Sequence, residues 1–436
     1  MTEQENRRVA VTGIGMVTPL GHNVATTWQA LLARKSGIAE IASFDASGFP
    51  ARIAAEVKNF KPDLSLADRK LLKYAGAFCR FSLVAAAEAM ADAGIQPTRA
   101  DATRWGAVVG SGMIVADFDY WLRFSQRFVN TGTVSVHEFA TEGKDFFRVN
   151  DIAKATANSG LNLLLKKYQI KGYAMDVHTA CASSGQALGL ALQVLRRGEV
   201  DTVLAGGYDS MVNPIGLSSF CLLDALATDN EDPARASRPF DLSRNGFVLG
   251  EGAAFLVLES WHKAKARGAR IYAELAGEGN SLSAYRITDS HPSGDGAIQA
   301  IKGALADANI DASDVDYINA HGTSTQMNDL SETNAIKAVL GEHAKKIPIS
   351  STKSQTGHLI AAAGALEATF SCLAIHHGRV PMTANLTQPD PQCDLDYVVE
   401  GPRQQSVGTV LSNSFGFGGS NSCIAFRHPR ITEELL

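Results

Sequence analysis

The sequence lacks any apolar run of the roughly 20 residues that a helix needs to cross a bilayer. Its first residues, MTEQENRR, are polar, and no apolar signal segment follows them. We therefore expect a cytoplasmic protein without membrane contact. The formal net charge of −5 over 436 residues, with no basic block, also argues against a nucleic-acid partner.

Cysteine occurs six times, but no two cysteines are spaced as a C-x-x-C pair. His178 and Cys181 form a single H-x-x-C pair, with no second pair to complete a zinc site. We therefore expect no bound metal. Without an export signal, the thiols should stay reduced rather than form disulfides.

The chain also lacks a linker rich in proline, glycine or serine, although its length predicts more than one domain-sized unit. What it contains instead is an alternation of short apolar strands with alanine- and leucine-rich helices. This alternation is typical of an α/β fold with buried sheets. A fresh strand–helix series begins after FLVLES, so we divide the chain into residues 1–260 and 261–436.

The stretch DVHTACASSGQALGLALQVLRRGEV places Cys181 where a strand-like segment meets an apolar helix. Cysteine is often an inert, buried core residue. Alternatively, the positive end of the following helix favours the thiolate and makes Cys181 a nucleophile. Lowering the thiol pKa by about one unit would ionise about a quarter of it at neutral pH. This stretch alone leaves both interpretations open.

Two further stretches place histidines beside apolar segments. His321 lies in NAHGTSTQMNDLSE, next to small hydroxyl residues that suit a slender ligand; a capping or surface role is the alternative. In ISSTKSQTGHLIAAAGALEA, Lys353 and His358 precede an alanine-rich helix that contains Glu367. Because buried polar groups need partners, we expect these residues to contact one another or a ligand. A polar loop before an amphipathic helix is the alternative.

Two glycine-rich segments remain. SNSFGFGGSNS, residues 412–422, lacks the lysine of a phosphate-binding loop. Its Phe415 and Phe417 are typical of an aromatic lid on a mobile loop. The early VTGIGMVTPLG has misspaced glycines, and Pro19 stands where a helix should begin, so we exclude a dinucleotide-binding site.

Taken in order, TACASS, HGTST, STKSQTGHL and NSFGFGGSN resemble motifs of the elongating β-ketoacyl-[acyl carrier protein] synthases, the KAS I/II branch of the thiolase-like condensing enzymes. The resemblance runs from VAVTGIGMVTPLG through RPFDLSRNGFVLGEGA to the C-terminal loop. It implies an α/β thiolase-like fold, in which a duplicated βαβαβαββ unit gives five layers, αβαβα. Residues 1–260 would carry the nucleophilic cysteine, and residues 261–436 both histidines.

The resemblance also implies roles for individual residues. Those of the reaction centre are a triad of Cys181, His321 and His358, a supporting ion pair of Lys353 and Glu367, and an oxyanion hole made by the backbone N–H groups of Cys181 and Phe417. Those of binding are Thr323 and Thr325 for pantetheine, Phe220, Phe417 and Met113 for the acyl pocket and its gate, and Arg69 and Lys70 for carrier docking.

The implied activity is a decarboxylative Claisen condensation of an acyl chain on Cys181 with malonyl-[acyl carrier protein], in fatty-acid or type II polyketide or polyene synthesis. No cofactor is implied, because the phosphopantetheine of the carrier delivers the acyl and malonyl thioesters. The chain would form a homodimer, or a heterodimer with a chain-length factor. One alternative is a non-catalytic chain-length-factor-like partner, which would lack Cys181. The other is a coenzyme A-dependent thiolase, which His358 and the GFGG loop disfavour.

The resemblance weakens between Gly112 and Cys181, where the chain has no proline and aromatic residues are concentrated from 113 to 150. One helical face would present Phe118, Trp121, Leu122, Ser125 and Val129. This segment could form a subunit interface or adapt the acyl pocket to unsaturated or aromatic chains. Asp224 stands where housekeeping elongation enzymes often carry an arginine that contacts the carrier. These departures leave the pathway open.

Overall fold

The computed structural model describes residues 8–76, 78–112, 118–286 and 291–435. Met113, which we predict for the acyl pocket, lies outside the described residues. The strands of the first half are β1 (Val9–Val17), β2 (Ile38–Glu40), β3 (Ile53–Ala55), β4 (Trp105–Ser111), β5 (Val129–Asn130), β6 (Thr133–Val134), β7 (Ala174–Val177), β8 (Thr202–Ser210) and β9 (Glu251–Ser260). Its helices are α1 (Val24–Leu32), α2 (Leu66–Leu71), α3 (Cys79–Ala93), α4 (Phe118–Phe128), α5 (Val136–Phe146), α6 (Val149–Lys154), α7 (Ser159–Tyr168), α8 (Ser183–Arg196) and α9 (Pro214–Leu222).

The second half has its own set of elements. Its strands are β10 (Ala273–Leu282), β11 (Tyr317–Asn319), β12 (Ile349–Ser350), β13 (Arg379–Val380), β14 (Arg403–Gln404), β15 (Thr409–Phe415) and β16 (Ser420–Arg427). Its helices are α10 (Trp261–Ala266), α11 (Asp295–Ala308), α12 (Gln326–Leu340), α13 (Lys353–Thr356), α14 (Ala363–His377) and α15 (Pro429–Glu434).

The two halves repeat one topology. The order β1-α3-β4-α7-β7-α8-β8-β9 matches β10-α11-β11-α12-β12-α14-β15-β16, and each is a βαβαβαββ unit. The sheet order mirrors this repeat. Read outward from the centre of the sheet, the strands are β1-β9-β8-β4-β7 in the first half and β10-β16-β15-β11-β12 in the second. The halves join where β1 and β10 pair antiparallel, with Val9 opposite Leu275. The duplicated fold implied by the resemblance is confirmed.

Helices α8 and α14 pack against each other between the two halves of the sheet. Helix α8 contacts β4 and β8 of its own half and β10 and β16 of the other, while α14 contacts β15, β8 and β9. Every residue of α14 from Ala363 to Ile375 is buried, which explains why its sequence is apolar on all faces. Helices α3 and α7 cover the outside of the first half, and α11 and α12 cover the second. Five layers result.

One sequence prediction about a helix needs correction. The segment from Leu71 to Gly94 reads as one helix, but a 3₁₀ turn over Leu72–Tyr74 separates α2 from α3. Gly76 lies in the gap, and glycine weakens a helix interior. Helix α3 does end at Gly94, which takes the left-handed conformation with φ of +67°.

Among the described residues, no helix is both long and apolar enough to cross a membrane.

The aromatic segment packs mainly on itself. Phe128 of α4 lies against Phe139 and Phe146 of α5, with ring centroids 5.6 and 5.1 Å apart. The helical face predicted from the sequence is not the packed one, because Trp121 is 45% and Leu122 43% exposed. Val129 begins β5 instead of extending α4. The periodicity failed here because apolar residues occupy both faces of this helix.

Candidate active site

A cavity of about 540 Å³ lies between the two halves and is lined by residues of both. The first half contributes Cys181, which is only 4% exposed. The second half contributes His321 and His358, each 1% exposed. Three residues predicted as a triad from separate stretches of sequence are therefore brought together at one buried place.

A strained turn holds the cysteine at the entrance to helix α8. Cys181 is the middle residue of a 3₁₀ turn, Ala180–Ala182, and Ala180 has a φ of +50°. A non-glycine residue in this region costs of order 1–3 kcal/mol and persists only when its surroundings fix it. The Ser183 hydroxyl does so by donating to the Ala180 carbonyl at 2.6 Å and accepting the Thr179 N–H at 2.8 Å.

The three side chains of the triad are close enough to share one ligand. The Cys181 sulfur and a ring nitrogen from each histidine all lie within 4.8 Å of one another. The rings of His321 and His358 meet edge to face, with centroids 5.3 Å apart. Within the described chain, both ring nitrogens of His358 and Nδ1 of His321 are buried without a hydrogen-bond partner. Buried polar atoms of this kind point to a missing ligand.

Both histidines are neutral at neutral pH. Burial lowers the pKa of His321 well below its ordinary value, and the Lys353 cation and His358 lower it further. Burial, with Lys353, does the same to the pKa of His358. A neutral imidazole carries one N–H donor and one acceptor nitrogen, so each ring can donate to an oxygen without being a strong acid.

The pKa of the Cys181 thiol is raised, whereas its place at the end of helix α8 predicted that it would be lowered. Burial raises the pKa of Cys181 to about 12, although the Lys353 cation and the Phe417 N–H, which donates to the sulfur, both lower it. The expected lowering by the end of helix α8 is therefore outweighed by desolvation, and the resting group is a thiol. Sequence spacing places the cysteine at a helix end but does not show how deeply the sulfur is buried.

The predicted ion pair is present beneath the histidines. Lys353 Nζ contacts Glu367 Oε1 and donates to the His321 carbonyl at 2.6 Å, and both side chains are buried. Burial raises the pKa of Glu367 to about 7, against the opposing effect of Lys353. The pair fixes the backbone that carries His321, because one cation bridges that backbone and helix α14.

The glycine-rich segment contributes Phe415, Gly416 and Phe417 to the wall of the cavity. Phe417 is half-buried, and its ring lies 6.2 Å from that of Phe220, which in turn lies 5.3 Å from Phe247. Phe220 does not line the cavity but lies behind Phe417. Phe415 is not part of a mobile lid as predicted: it ends strand β15, is 5% exposed and packs against His321. We predicted a loop because glycines follow Phe415, and they hid the fact that this residue is the last of a buried strand.

The residues predicted for pantetheine and for the carrier lie in different places. Thr323 and Thr325 line the cavity, and their hydroxyls are 3.0 Å apart. Arg69 and Lys70 lie on helix α2 and are exposed, and neither lines this cavity. Their role in docking stays a prediction.

Buried ionic residues that our sequence reasoning missed support the site. Glu332 of helix α12 accepts the backbone N–H groups of His321 and Gly322, each at 2.8 Å. Arg244 is 1% exposed, and it donates to the Thr325 carbonyl at 3.1 Å and to Asp390 at 2.7 Å. Each residue therefore holds part of the loop that carries His321 and Thr325. The sequence did contain a signal for Glu332, because the acids of NDLSE lie one helical turn or more beyond the loop that carries His321.

The same donor atoms could in principle hold a metal. A sulfur and two imidazole nitrogens are ligands that zinc accepts. Binding zinc would require loss of the Cys181 proton and neutral imidazoles. The expectation that no metal resides here stays a prediction.

Comparisons with known proteins agree over the whole length. A family model described as beta-ketoacyl synthase, N-terminal domain, matches residues 6–264, and one described as beta-ketoacyl synthase, C-terminal domain, matches residues 272–387. A 3-oxoacyl-[acyl-carrier-protein] synthase 2 from Coxiella burnetii is 42% identical, covering 96% of this chain and 98% of its own.

Solved structures show the same likeness. A type II polyketide synthase acyl-carrier protein in complex with its ketosynthase, bound to the hexaketide, gives a TM-score of 0.86 at 37% identity, covering 97% of this chain and 99% of that one. The ishigamide ketosynthase/chain length factor gives a TM-score of 0.83 at 33% identity, with the same coverage of both chains.

Proposed function

The chain belongs to the β-ketoacyl synthase family, and from this premise we propose that it is an elongating ketosynthase. It extends an acyl chain held on Cys181 with a malonyl unit carried by acyl carrier protein. The observation that supports this most strongly is the meeting of Cys181, His321 and His358 around one buried cavity. A chain-length factor without chemistry of its own would not need that convergence, and the family models disfavour a thiolase.

Acyl transfer begins when the thiol attacks the thioester carbon of the incoming acyl group. Because the pKa of Cys181 is raised to about 12, the thiol must give up its proton as the attack proceeds. A neutral histidine nitrogen within 4.8 Å can accept it and return it to the departing pantetheine sulfur. The oxyanion is stabilised by the N–H groups of Cys181 and Phe417, the second of which already points at the sulfur.

Condensation uses the two histidines on the second substrate. Loss of CO2 from the malonyl group leaves an enolate whose oxygen accepts hydrogen bonds from both neutral rings. The enolate carbon then attacks the acyl carbonyl on Cys181, and the tetrahedral intermediate collapses by breaking the carbon–sulfur bond. The released Cys181 sulfur takes up one proton from solvent, which restores the resting thiol. A charged imidazolium could protonate the carbanion, so the low pKa of both rings protects the intermediate.

We also propose that a second chain of the same fold covers the aromatic segment. Strand β7 lies at one end of the sheet order, and an edge strand offers unpaired backbone groups. On helix α6, Val149 is 79% and Ile152 63% exposed, and exposed apolar side chains of this kind suit a surface that another protein covers. The partner is a second copy or a chain-length factor, as in the ishigamide ketosynthase/chain length factor.

An interface explains the aromatic segment better than an acyl pocket does. A second cavity of about 960 Å³ lies between this segment and the start of α9, lined by Phe118, Tyr120 and Leu122 among others. It shares no described lining residue with the Cys181 cavity. Its wall carries charges of both signs, from Arg80, Arg123, Lys154, Asp119, Asp151 and Glu251. The pathway, fatty acid or polyketide, stays open. A cytosolic location, which six free thiols support, remains part of this proposal.

Intact mass spectrometry tests the function. The purified protein is incubated with hexanoyl-carrier and then with malonyl-carrier. We expect a hexanoyl adduct on Cys181 that disappears as a 3-oxo product, longer by two carbons, forms on the carrier. Failure to form the adduct, or an adduct that malonyl-carrier does not discharge, would contradict the proposal.

A further inference from the structure

The rim of the Cys181 cavity carries exposed apolar side chains beside polar ones. Leu223, Asp224, Asn245, Gln326 and Met327 line the cavity and are exposed at its mouth. The exposed fraction is 46% for Leu223 and 38% for Met327, and it reaches 85% for the adjacent Leu222. Single exposed apolar residues are ordinary on protein surfaces, but these three lie at or next to the mouth of the Cys181 cavity.

The charge at this rim is negative. Asp224 is exposed, whereas Arg244, the lining cation among the described residues, is 1% exposed and bound to Asp390. The exposed basic residues Arg69 and Lys70 lie on α2 and do not line the cavity. A protein that covers the mouth therefore meets, at this point, an acid next to two leucines.

The backbone holds these side chains in place. After helix α9 ends at Leu222, Asp224 takes a φ of +50°. Its N–H donates to the Cys221 carbonyl at 3.0 Å, and the Ala225 N–H donates to the Phe220 carbonyl at 3.2 Å. A left-handed residue held by two hydrogen bonds makes a tight turn, so Leu222 and Leu223 project from an ordered support.

We propose that Leu222, Leu223 and Met327 form an apolar contact for the acyl carrier protein, and that Asp224 selects a carrier with a basic or uncharged residue opposite it. This inference rests on the proposed function. The reactive thiol is buried at the inner end of the cavity, so an arm tethered to a carrier must enter through this mouth, and the carrier body must cover the rim. Burial of apolar side chains supplies affinity, and Asp224 repels a partner that is acidic at the same point.

The apolar contact is tested with Leu222→Ser/Leu223→Ser. The substrates are hexanoyl-carrier and hexanoyl-pantetheine, which has the same thioester without a protein body. We expect kcat/KM for acylation of Cys181 to fall about tenfold with the carrier and by a much smaller factor with the pantetheine thioester. Leu435→Ser is the matched control, because Leu435 is 53% exposed but does not line this cavity. Equal kcat/KM of the double variant and the wild type on the carrier would overturn the contact.

The charge selection is tested with Asp224→Asn, which keeps the size of the side chain and tolerates a positive φ. With an acidic fatty-acid carrier as probe, kcat/KM should rise about threefold at low salt, and the gain should vanish at high salt. An unchanged or lower value would overturn the selection role. If the wild type is not acylated even by the pantetheine thioester, the proposed function itself fails, which is a separate result.

Discussion

The two strand–turn–helix units at the centre of the molecule make an instructive pair. In the first half Ala180, with φ of +50°, opens a 3₁₀ turn that leads into α8; in the second, Ile360, with φ of +46°, opens a 3₁₀ turn, Ile360–Ala362, that leads into α14. The first turn places Cys181 directly after its strained residue. At the corresponding position of the second turn stands Ala361, and the reactive side chain, His358, precedes the turn instead.

This difference divides the chemistry between the halves. The first unit places a nucleophile at a helix end, where backbone N–H groups can stabilise an oxyanion. The second presents a buried imidazole beside the cation Lys353, and burial, with that cation, lowers the pKa of the imidazole and keeps it neutral. Under the proposed function, one backbone design therefore serves covalent capture in one half and enolate stabilisation in the other, according to where the functional residue lies relative to the turn.

The largest expected effect removes the function of the first unit. Cys181→Ala should abolish covalent acylation, because no other nucleophile replaces the sulfur, while the protein still folds. Intact mass after incubation with hexanoyl-carrier measures this. Cys221→Ala, which removes a partly exposed thiol elsewhere in the same half, should acylate normally. A hexanoyl adduct on Cys181→Ala would show that the nucleophile is assigned wrongly.

The next effect removes one imidazole from the second unit. His321→Ala and His358→Ala should each still acquire the acyl group on Cys181, but malonyl decarboxylation should fall ~10²–10³-fold, as it does when one oxyanion donor is lost. Release of CO2 from labelled malonyl-carrier is the measurement. Decarboxylation at the wild-type rate in either variant would contradict the proposal that the histidines of the second half stabilise the enolate.

A smaller effect tests the link between the two units. Asp209, at the end of β8, accepts the Ala361 N–H at 3.0 Å, and burial raises the pKa of its carboxyl to about 7. Because this pKa is raised in the folded chain, its contribution to the free energy of unfolding is fully present below about pH 4 and is lost as the pH rises through 7.

Asp209→Asn should remove that dependence. Denaturant unfolding at pH 5 and pH 8 should show a loss of stability for the wild type that exceeds the loss for the variant by about 2–4 kcal/mol. Asp316→Asn, at a partly exposed acid of the second half, is the control for removing a carboxylate charge elsewhere. Parallel pH profiles for wild type and Asp209→Asn would contradict a proton-linked contact.

The smallest effect concerns the strained residues themselves. Ala180→Gly relieves a positive φ worth about 1–2 kcal/mol but adds freedom to the unfolded chain, so stability should change by less than about 1 kcal/mol. Ile360→Gly also empties the space of a buried side chain and should destabilise by more than about 2 kcal/mol. Melting temperatures compare the two. A large loss at Ala180→Gly would mean that its methyl group, and not the turn, is what the fold needs.

Much of this arrangement is readable from sequence. The alternation of apolar strands with buried helices predicts an α/β fold, and the motifs around Cys181, His321 and His358 identify the residues that meet in the cavity. Duplication of the βαβαβαββ unit follows from the resemblance, not from periodicity, because strands of two or three residues such as β11 and β12 leave no periodic signal.

What the sequence could not show depends on three-dimensional surroundings. The pKa of Cys181 is set by desolvation, which no local pattern measures. Phe415 looks like a loop residue because glycines follow it, although it ends a buried strand. Glu332 acts through two backbone N–H groups about ten residues away in sequence. The predicted domain boundary after residue 260 stays a prediction, since both halves share one sheet.

The measurement that tests the central claim most directly separates the two units in one assay. Cys181→Gln cannot hold an acyl chain but retains both histidines, so it should release CO2 from malonyl-carrier without forming a 3-oxo product. Adding His358→Ala to Cys181→Gln should reduce that release ~10²–10³-fold. If Cys181→Gln releases no CO2 while still folding as the wild type does, or if the double variant releases CO2 as fast as Cys181→Gln, the assignment of decarboxylation to the second half is wrong.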